Sequence, residues 1–210
     1  MTGQPDSYVT IAGPGSDELK IQRSRFLAEA WPAVGEDAAR AAVADMRRRF
    51  HDARHVCHGW RFGPDGEDGE ARNDDGEPSG TAGEPILLAI RGAGLTDIVV
   101  TVARYFGGVK LGTGGLTRAY GGAAAAALAA APRRTVLLGQ QYELLLDYAQ
   151  QKTVRHLLEA CAGKVVGEDY GAAVRWRLWL PHSRCEDFLQ QVREASAGRL
   201  EPRRLPADEA

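Results

Sequence analysis

Between Arg104 and Gly122 the chain reads RYFGGVKLGTGGLTRAYGG, with Gly107, Gly108, Gly112, Gly114 and Gly115 set among Arg104, Lys110 and Arg118. Glycine weakens regular structure wherever it sits, so a cluster marks close approach of the backbone to something, protein or ligand. A glycine-rich turn between a strand and a helix exposes unpaired N–H groups at the positive end of a helix dipole, and this combination attracts anions such as phosphate. Two named phosphate fingerprints do not fit. Gly107 to Gly112 has P-loop spacing, but Thr113 stands where the lysine belongs, and a dinucleotide pattern begun at Gly112 meets Thr117 at its last glycine. The expectation is an anion- or nucleic-acid-binding turn built from Arg25, Arg104, Gly107, Gly108, Lys110, Gly112, Gly114, Gly115 and Arg118, with hydroxyls from Ser79 and Thr81. Several residues from Gly107 to Gly115 should take positive φ and aim consecutive N–H groups at one point near Leu116. Arg118, expected in the first helical turn, should face an anion there or pair with Asp75 or Glu77 in its absence.

Other reactive side chains are fewer. His51, His55, Cys57 and His58 invite a zinc reading, but a strand would put His58 on the opposite face from His55 and Cys57, and a partner Cys-x-x-Cys is missing. No metal and no cofactor are therefore expected. His55 and Cys57 on one face could serve as base and nucleophile, and Asp75 or Glu77 could position magnesium; these four are the catalytic candidates. A serine-hydrolase elbow is absent from the sequence.

Composition restricts the partners. Hydrophobic residues make up 44% and charged residues 26% of the 210, with a formal net charge of -2. That balance is globular and lacks the basic excess of a dedicated nucleic-acid binder, so any RNA contact must come from a local patch. The three cysteines are too few and too scattered for a disulfide framework, and neither a secretory leader nor a membrane-length apolar run is evident, so the reading is a reduced, cytoplasmic protein with no membrane partner. The segment Asp65 to Glu77 is acidic and reads as a long polar loop continuing to about Gly83.

The elements that must position these groups follow from periodicity. Short strands are expected near Tyr8–Ile11, Leu19–Ile21 and Phe26–Ala30, a helix over Glu36–Phe50, and a strand over 54–62. Pro85 opens a helix to about Arg91, with Thr81 or Gly83 near its cap; Ile98–Phe106 is a β-branched strand, and Leu116–Ala131 a helix stopped by Pro132. A junction is expected at Pro132. The remainder reads as strand 135–147, helix 150–162, strands 164–170 and 173–180, helix 183–195 and a short strand near 198–203. This βαββαβ order is the ferredoxin-like arrangement, its helices covering one face through Leu157, Leu158, Phe188 and Leu189.

Ser24-Arg25-Phe26, Arg54-His55-x-Cys57, Asn73-Asp74-Asp75-Gly76-Glu77-Pro78-Ser79-Gly80-Thr81-Ala82-Gly83 and the segment Gly92 to Gly122 together resemble the YigZ/IMPACT family. The resemblance covers nearly the whole chain. It implies an α+β protein of two domains: residues 1–132 similar to ribosomal protein S5 domain 2 and to domain IV of elongation factor G, and residues 135–204 ferredoxin-like, similar to domain V of that factor. It also implies a part in translational control. The leading expectation is a non-enzymatic module that binds RNA or a ribosome-associated protein, without reading DNA sequence. The alternative is an enzyme acting on a phosphorylated small molecule, with magnesium held at Asp75 or Glu77. The alternative gains if the acidic segment folds back toward the glycine turn with its carboxylates within reach of a metal.

Overall fold

The computed structural model describes residues 5–206 apart from residue 172. The chain divides into two compact units, Tyr8–Val136 and residues 137–206, the second also including residues 5–7. In the first unit five strands, β1 (Ser7–Ile11), β2 (Gly15–Ile21), β3 (Ser24–Pro32), β4 (His55–Phe62) and β5 (Gly69–Asn73), are followed by β6 (Ile98–Tyr105) and β7 (Arg133–Leu137). Its helices are α1 (Glu36–Arg49), α2 (Gly83–Gly92) and α3 (Gly112–Ala130). One sheet runs in the order β2-β3-β6-β4-β5, and β1 pairs separately with β7.

Strand β6 is the centre of this unit because its β-branched run can be buried on both faces. Ile98, Val100 and Val102 face the core shared with α2 and α3, while Val99 and Ala103 face α1. Helix α1 presents Ala39, Val43 and Met46 to that second face, with Glu36 and Asp37 in its first turn and Arg47, Arg48 and Arg49 in its last, as the helix dipole favours. Helix α3 packs through Leu116, Ala119, Tyr120, Ala123, Ala124, Ala127 and Leu128. Its small residues permit close approach: a Cβ on Gly15 of β2 would lie 2.5 Å from the Ala131 nitrogen.

The second unit holds β8 (Gly139–Leu146), α4 (Gln151–Ala160), β9 (Lys164–Tyr170), β10 (Val174–Pro181), α5 (Cys185–Ala195) and β11 (Arg203–Arg204). Its strand order β11-β8-β10-β9 is that of the ferredoxin-like βαββαβ fold, and the first unit has the architecture expected of a ribosomal protein S5 domain 2-like domain. Strand β10 alternates without a break, with Val174, Trp176, Leu178 and Leu180 buried and Arg175 and Arg177 exposed. Leu158 and Phe188 are buried in the core of this unit, and Leu157 and Leu189 pack at its margin.

Three expectations need correction. Helix α3 begins at Gly112, not Leu116: Gly112 turns the chain at φ +70°, and Thr113, Gly114 and Gly115 then continue as helix once Leu116 and Ala119 anchor it on the sheet. The strand read over 135–147 is two strands broken at Leu138, with β7 turned back to pair with β1. Strand β7 follows directly on Pro132, and the compact units divide after Val136. The acidic loop also contains β5, an edge strand whose Glu70 pairs with Arg61 and Arg91 and so carries its charge into the sheet.

Candidate functional site

Strand register assembles the site. Phe26 of β3 stands opposite Arg104 of β6, and Arg104 stands opposite His55 of β4, so the three side chains form a row on the face that α2 and α3 cover. Arg104 is 7% exposed, and its guanidinium carbon lies 5.5 Å above the Phe26 ring and 5.7 Å above that of Phe106. Its Nη1 donates to Glu77 Oε1 at 2.6 Å, and the Tyr120 hydroxyl of α3 donates to the same oxygen at 2.8 Å. Phe26 meets the Tyr120 ring edge-on at 5.1 Å. The Arg104 Nε is buried with no hydrogen-bond partner among the described residues. His55 Nε2 lies 3.9 Å from Glu77 Oε1.

The segment Asn73 to Gly83 folds back onto this row, and each of its carboxylates arrives already engaged. Asp74 accepts the N–H groups of Gly80, Ala82 and Gly83, which places its charge at the start of α2. Burial works against that charge, but the three donors hold the Asp74 carboxyl below the usual range. Asp75 accepts from the Val56 N–H at 2.6 Å and from Arg47 of α1 at 2.5 Å. The Asp75 carbonyl accepts from His55 Nδ1 at 2.7 Å, which places a ring proton on Nδ1 and turns Nε2 toward Glu77. Two backbone features make the fold-back feasible: Gly76 has φ +84°, and a Cβ on Gly83 would lie 2.7 Å from the Asn73 nitrogen.

Cys57 belongs to the same face but not to any nucleophilic pair. It is fully buried and donates to the Asp74 carbonyl at 3.0 Å. Burial, aided by the surrounding carboxylates, pushes its thiol up to about 12, so at neutral pH it is no thiolate. Burial also raises the Tyr120 phenol, with Cys57 and Glu77 adding to the effect. His58 faces the opposite side, stacked on Trp60 at 5.0 Å, as the strand alternation predicted. Among the described residues no group of three or more His, Cys, Asp or Glu side chains could hold a metal ion.

The glycine turn has two roles rather than one. Gly107 packs: a Cβ there would overlap the Arg23 carbonyl and the Ser24 nitrogen, and its own N–H donates to Ser24 Oγ at 3.1 Å. Positive φ occurs at Gly108 (+85°) and Gly112 (+70°) only, so the expected run of left-handed residues is confined to two positions. Gly108, Val109, Lys110, Gly112, Thr113 and Gly114 are exposed, and no side chain caps the start of α3. Arg118 falls in the second turn of α3, exposed, with no ion pair among the described residues.

The predicted cations therefore separate. Lys110 and Arg118 lie on the open surface beside the start of α3. Arg104 does not, because its charge is spent on Glu77 inside the core. Arg25 bonds Glu18 in the β2–β3 hairpin and lies 5.6 Å from the Tyr105 ring. Thr81 is buried and donates to the Pro78 carbonyl at 2.7 Å, whereas Ser79 is exposed. Sequence reading missed Tyr120 and Arg47, the partners that lock Glu77 and Asp75. Tyr120 had a usable signal, being the one aromatic side chain in a helix rich in alanine and glycine; Arg47, in a run of three arginines, had none.

Among the described residues no helix is long and apolar enough to cross a membrane. Comparison with known proteins matches residues 22–128 to the Impact N-terminal domain and residues 144–199 to a domain of unknown function. The chain is 38% identical over 199 residues to IMPACT family member YigZ of Escherichia coli, covering 93% of this chain and 97% of that one. It is 34% identical over 184 residues to an IMPACT family member of Haemophilus influenzae, covering 87% and 89%. Over 99 residues it is 29% identical to the Protein IMPACT homolog of Saccharomyces cerevisiae, covering 46% of this chain and 38% of that protein. A crystal structure described only as that of a hypothetical protein superposes with a TM-score of 0.66 at 36% identity, covering 97% of this chain and all of the other.

Proposed function

The chain belongs to the IMPACT family, and we propose that it is a non-enzymatic, translation-associated module that binds structured RNA through the exposed turn at residues 106–111 and the first two turns of α3. One observation carries this reading. The groups that chemistry would need are occupied by protein, while the groups that phosphate binding would need are open. Asp74, Asp75, Glu77 and Cys57 all have hydrogen-bond partners within the fold. The acidic segment folds back onto Arg104, His55 and Tyr120 with its carboxylates paired, and among the described residues no group of three or more His, Cys, Asp or Glu side chains could hold a metal. Lys110, Arg118 and the uncapped N–H groups of α3 supply a local cationic patch in a chain without net basic charge.

The test is titration of a labelled RNA hairpin at two salt concentrations against wild type and a Lys110→Ala, Arg118→Ala double variant. Each phosphate contact removed lowers the salt slope by about 0.7–0.9, so the double variant should lose roughly 1.5 from the slope. Absence of binding at low salt, or a variant indistinguishable from wild type, overturns the proposal. Gly114→Ala provides an independent arm. A Cβ there meets nothing nearer than Arg118 Nη1 at 3.7 Å, so the variant should fold at least as well as wild type yet bind RNA more weakly if the ligand approaches that backbone.

A further inference from the structure

The second unit covers only one face of its sheet. Helices α4 and α5 pack on the side of Trp176, Leu178, Leu180 and Leu144. Direct cross-strand partners share a face, so the register assigns the other side to Arg175, Arg177 and Trp179 of β10, Gln141, Glu143 and Leu145 of β8, Lys164, Gly167 and Asp169 of β9, and Arg203 of β11. Arg175, Arg177, Lys164, Arg203 and Leu145 are all exposed. We propose that this open face is a second RNA-contact surface, one that takes a single-stranded segment with a base stacked on Trp179 and phosphates on Lys164, Arg175, Arg177 and Arg203. The occupant's identity rests on the RNA reading above; the surface itself does not.

Charge and shape both point to such an occupant. The face carries four cations against the two carboxylates Glu143 and Asp169. Glu143 is shared, 3.2 Å from Arg203 and 3.9 Å from Arg175. Lys164 and Arg177 have no carboxylate partner among the described residues, so the excess is not neutralised locally. Two of the groups are also held in place rather than free to swing. The Arg177 side chain lies against β9, close enough that a Cβ on Gly167 would fall 2.8 Å from its Nε. The Trp179 indole lies across Gly139, where a Cβ would fall 2.5 Å from the ring, and Lys164 Nζ sits 5.0 Å from its centroid.

A groove of about 510 Å³ opens beside that ring, lined by Gln140, Gln141, Trp179, Arg204 and Pro206. Gln140 donates to the Gln141 and Leu205 carbonyls and accepts from Arg204 Nε. The aromatic plane is therefore joined by the Gln141 amide and the remaining guanidinium donors of Arg204, a set that a splayed-out base and its phosphate can use. A structured duplex would not offer such a base. A protein partner could use the cations but has less use for a flat ring seated beside them.

The experiment uses the full chain and two probes, a labelled twelve-nucleotide oligouridylate and the RNA hairpin. Trp179→Ala should weaken oligouridylate binding about tenfold, in line with the loss of one stacked base, and Arg175→Ala with Arg177→Ala should lower its salt slope by about 1.4. Hairpin binding should respond instead to Lys110→Ala with Arg118→Ala. Oligouridylate binding that ignores both sheet variants overturns this inference and leaves the turn site standing. The reverse pattern, sensitivity to the sheet variants and none to Lys110 and Arg118, overturns the turn site alone. If wild type binds neither probe at low salt, both fall.

Discussion

Replacing Glu77 with leucine removes the common partner of Arg104 and Tyr120. Arg104 is left with a full charge in the core, 9% of its side chain exposed, and its Nε is already unpartnered. Stranding one member of a buried ion pair costs about 3–5 kcal/mol, to which the orphaned Tyr120 hydroxyl adds about 1 kcal/mol. For a unit of this size roughly 4 °C of Tm follows each kcal/mol, so a fall of about 16–24 °C is expected. The informative comparison is a double-mutant cycle in urea. Arg104→Met alone should be costly for the mirror reason, an isolated carboxylate. Glu77→Leu with Arg104→Met should recover most of the loss, because an apolar pair of similar volume is tolerated where a lone charge is not. A Glu77→Leu variant within about 1 kcal/mol of wild type would show that the carboxylate is hydrated and free, and the argument that the acidic segment is a structural latch would be refuted.

Burial, helped by Arg47 and Arg40 of α1 and opposed by Asp75, lowers the His58 imidazole from 6.5 to about 4. The unfolded chain therefore takes up this proton first. Stability that is full above pH 6.5 drains away as pH falls toward 4, by up to about 3 kcal/mol, and His58→Phe should flatten urea midpoints measured across that window. Asp74→Ala strips three N–H groups at the start of α2 of their acceptor and should cost about 2 kcal/mol, read by thermal denaturation; loss below 0.5 kcal/mol would mean water replaces it freely. Gly107→Ala and Gly114→Ala should move stability in opposite directions, the first down by more than about 2 kcal/mol through backbone overlap at Arg23 and the second up by about 0.5–1 kcal/mol as an exposed helical position gains a side chain.

Much of the architecture was legible because it rests on periodicity. The β-branched run of β6, the alternation of β10 and the Ala-Val-Met stripe of α1 each announce a period that packing then obeys. What stayed hidden depended on partners distant in sequence. Nothing in Asp74-Asp75-Gly76-Glu77 distinguishes a metal-binding loop from a latch until register brings Arg104 and His55 together and α3 delivers Tyr120. The start of α3 was misplaced for a related reason. Glycine propensity argues against a helix at Gly112–Gly115, and tertiary anchoring of Leu116 and Ala119 overrides it. Arg104 looked like a surface cation because a charge in sequence carries no mark of its depth.

The pairing of β1 with β7 has a consequence for the order in which the chain can assemble. Residues 15–105 contain every strand of the five-stranded sheet, yet β1, emerging from the ribosome before all of them, finds its ladder partner only in Arg133–Leu137. During synthesis the first strand must wait, its edge groups unpaired, until α3 and the residues beyond it have been made. The Ala12 N–H bond to the Pro132 carbonyl closes the same long loop. A contact of such sequence separation forms late and slowly, so nascent chains stalled before residue 133 should hold their sheet but leave the N-terminal strand open to proteases. Vectorial synthesis thus turns β7 into the clasp that marks the first unit as finished.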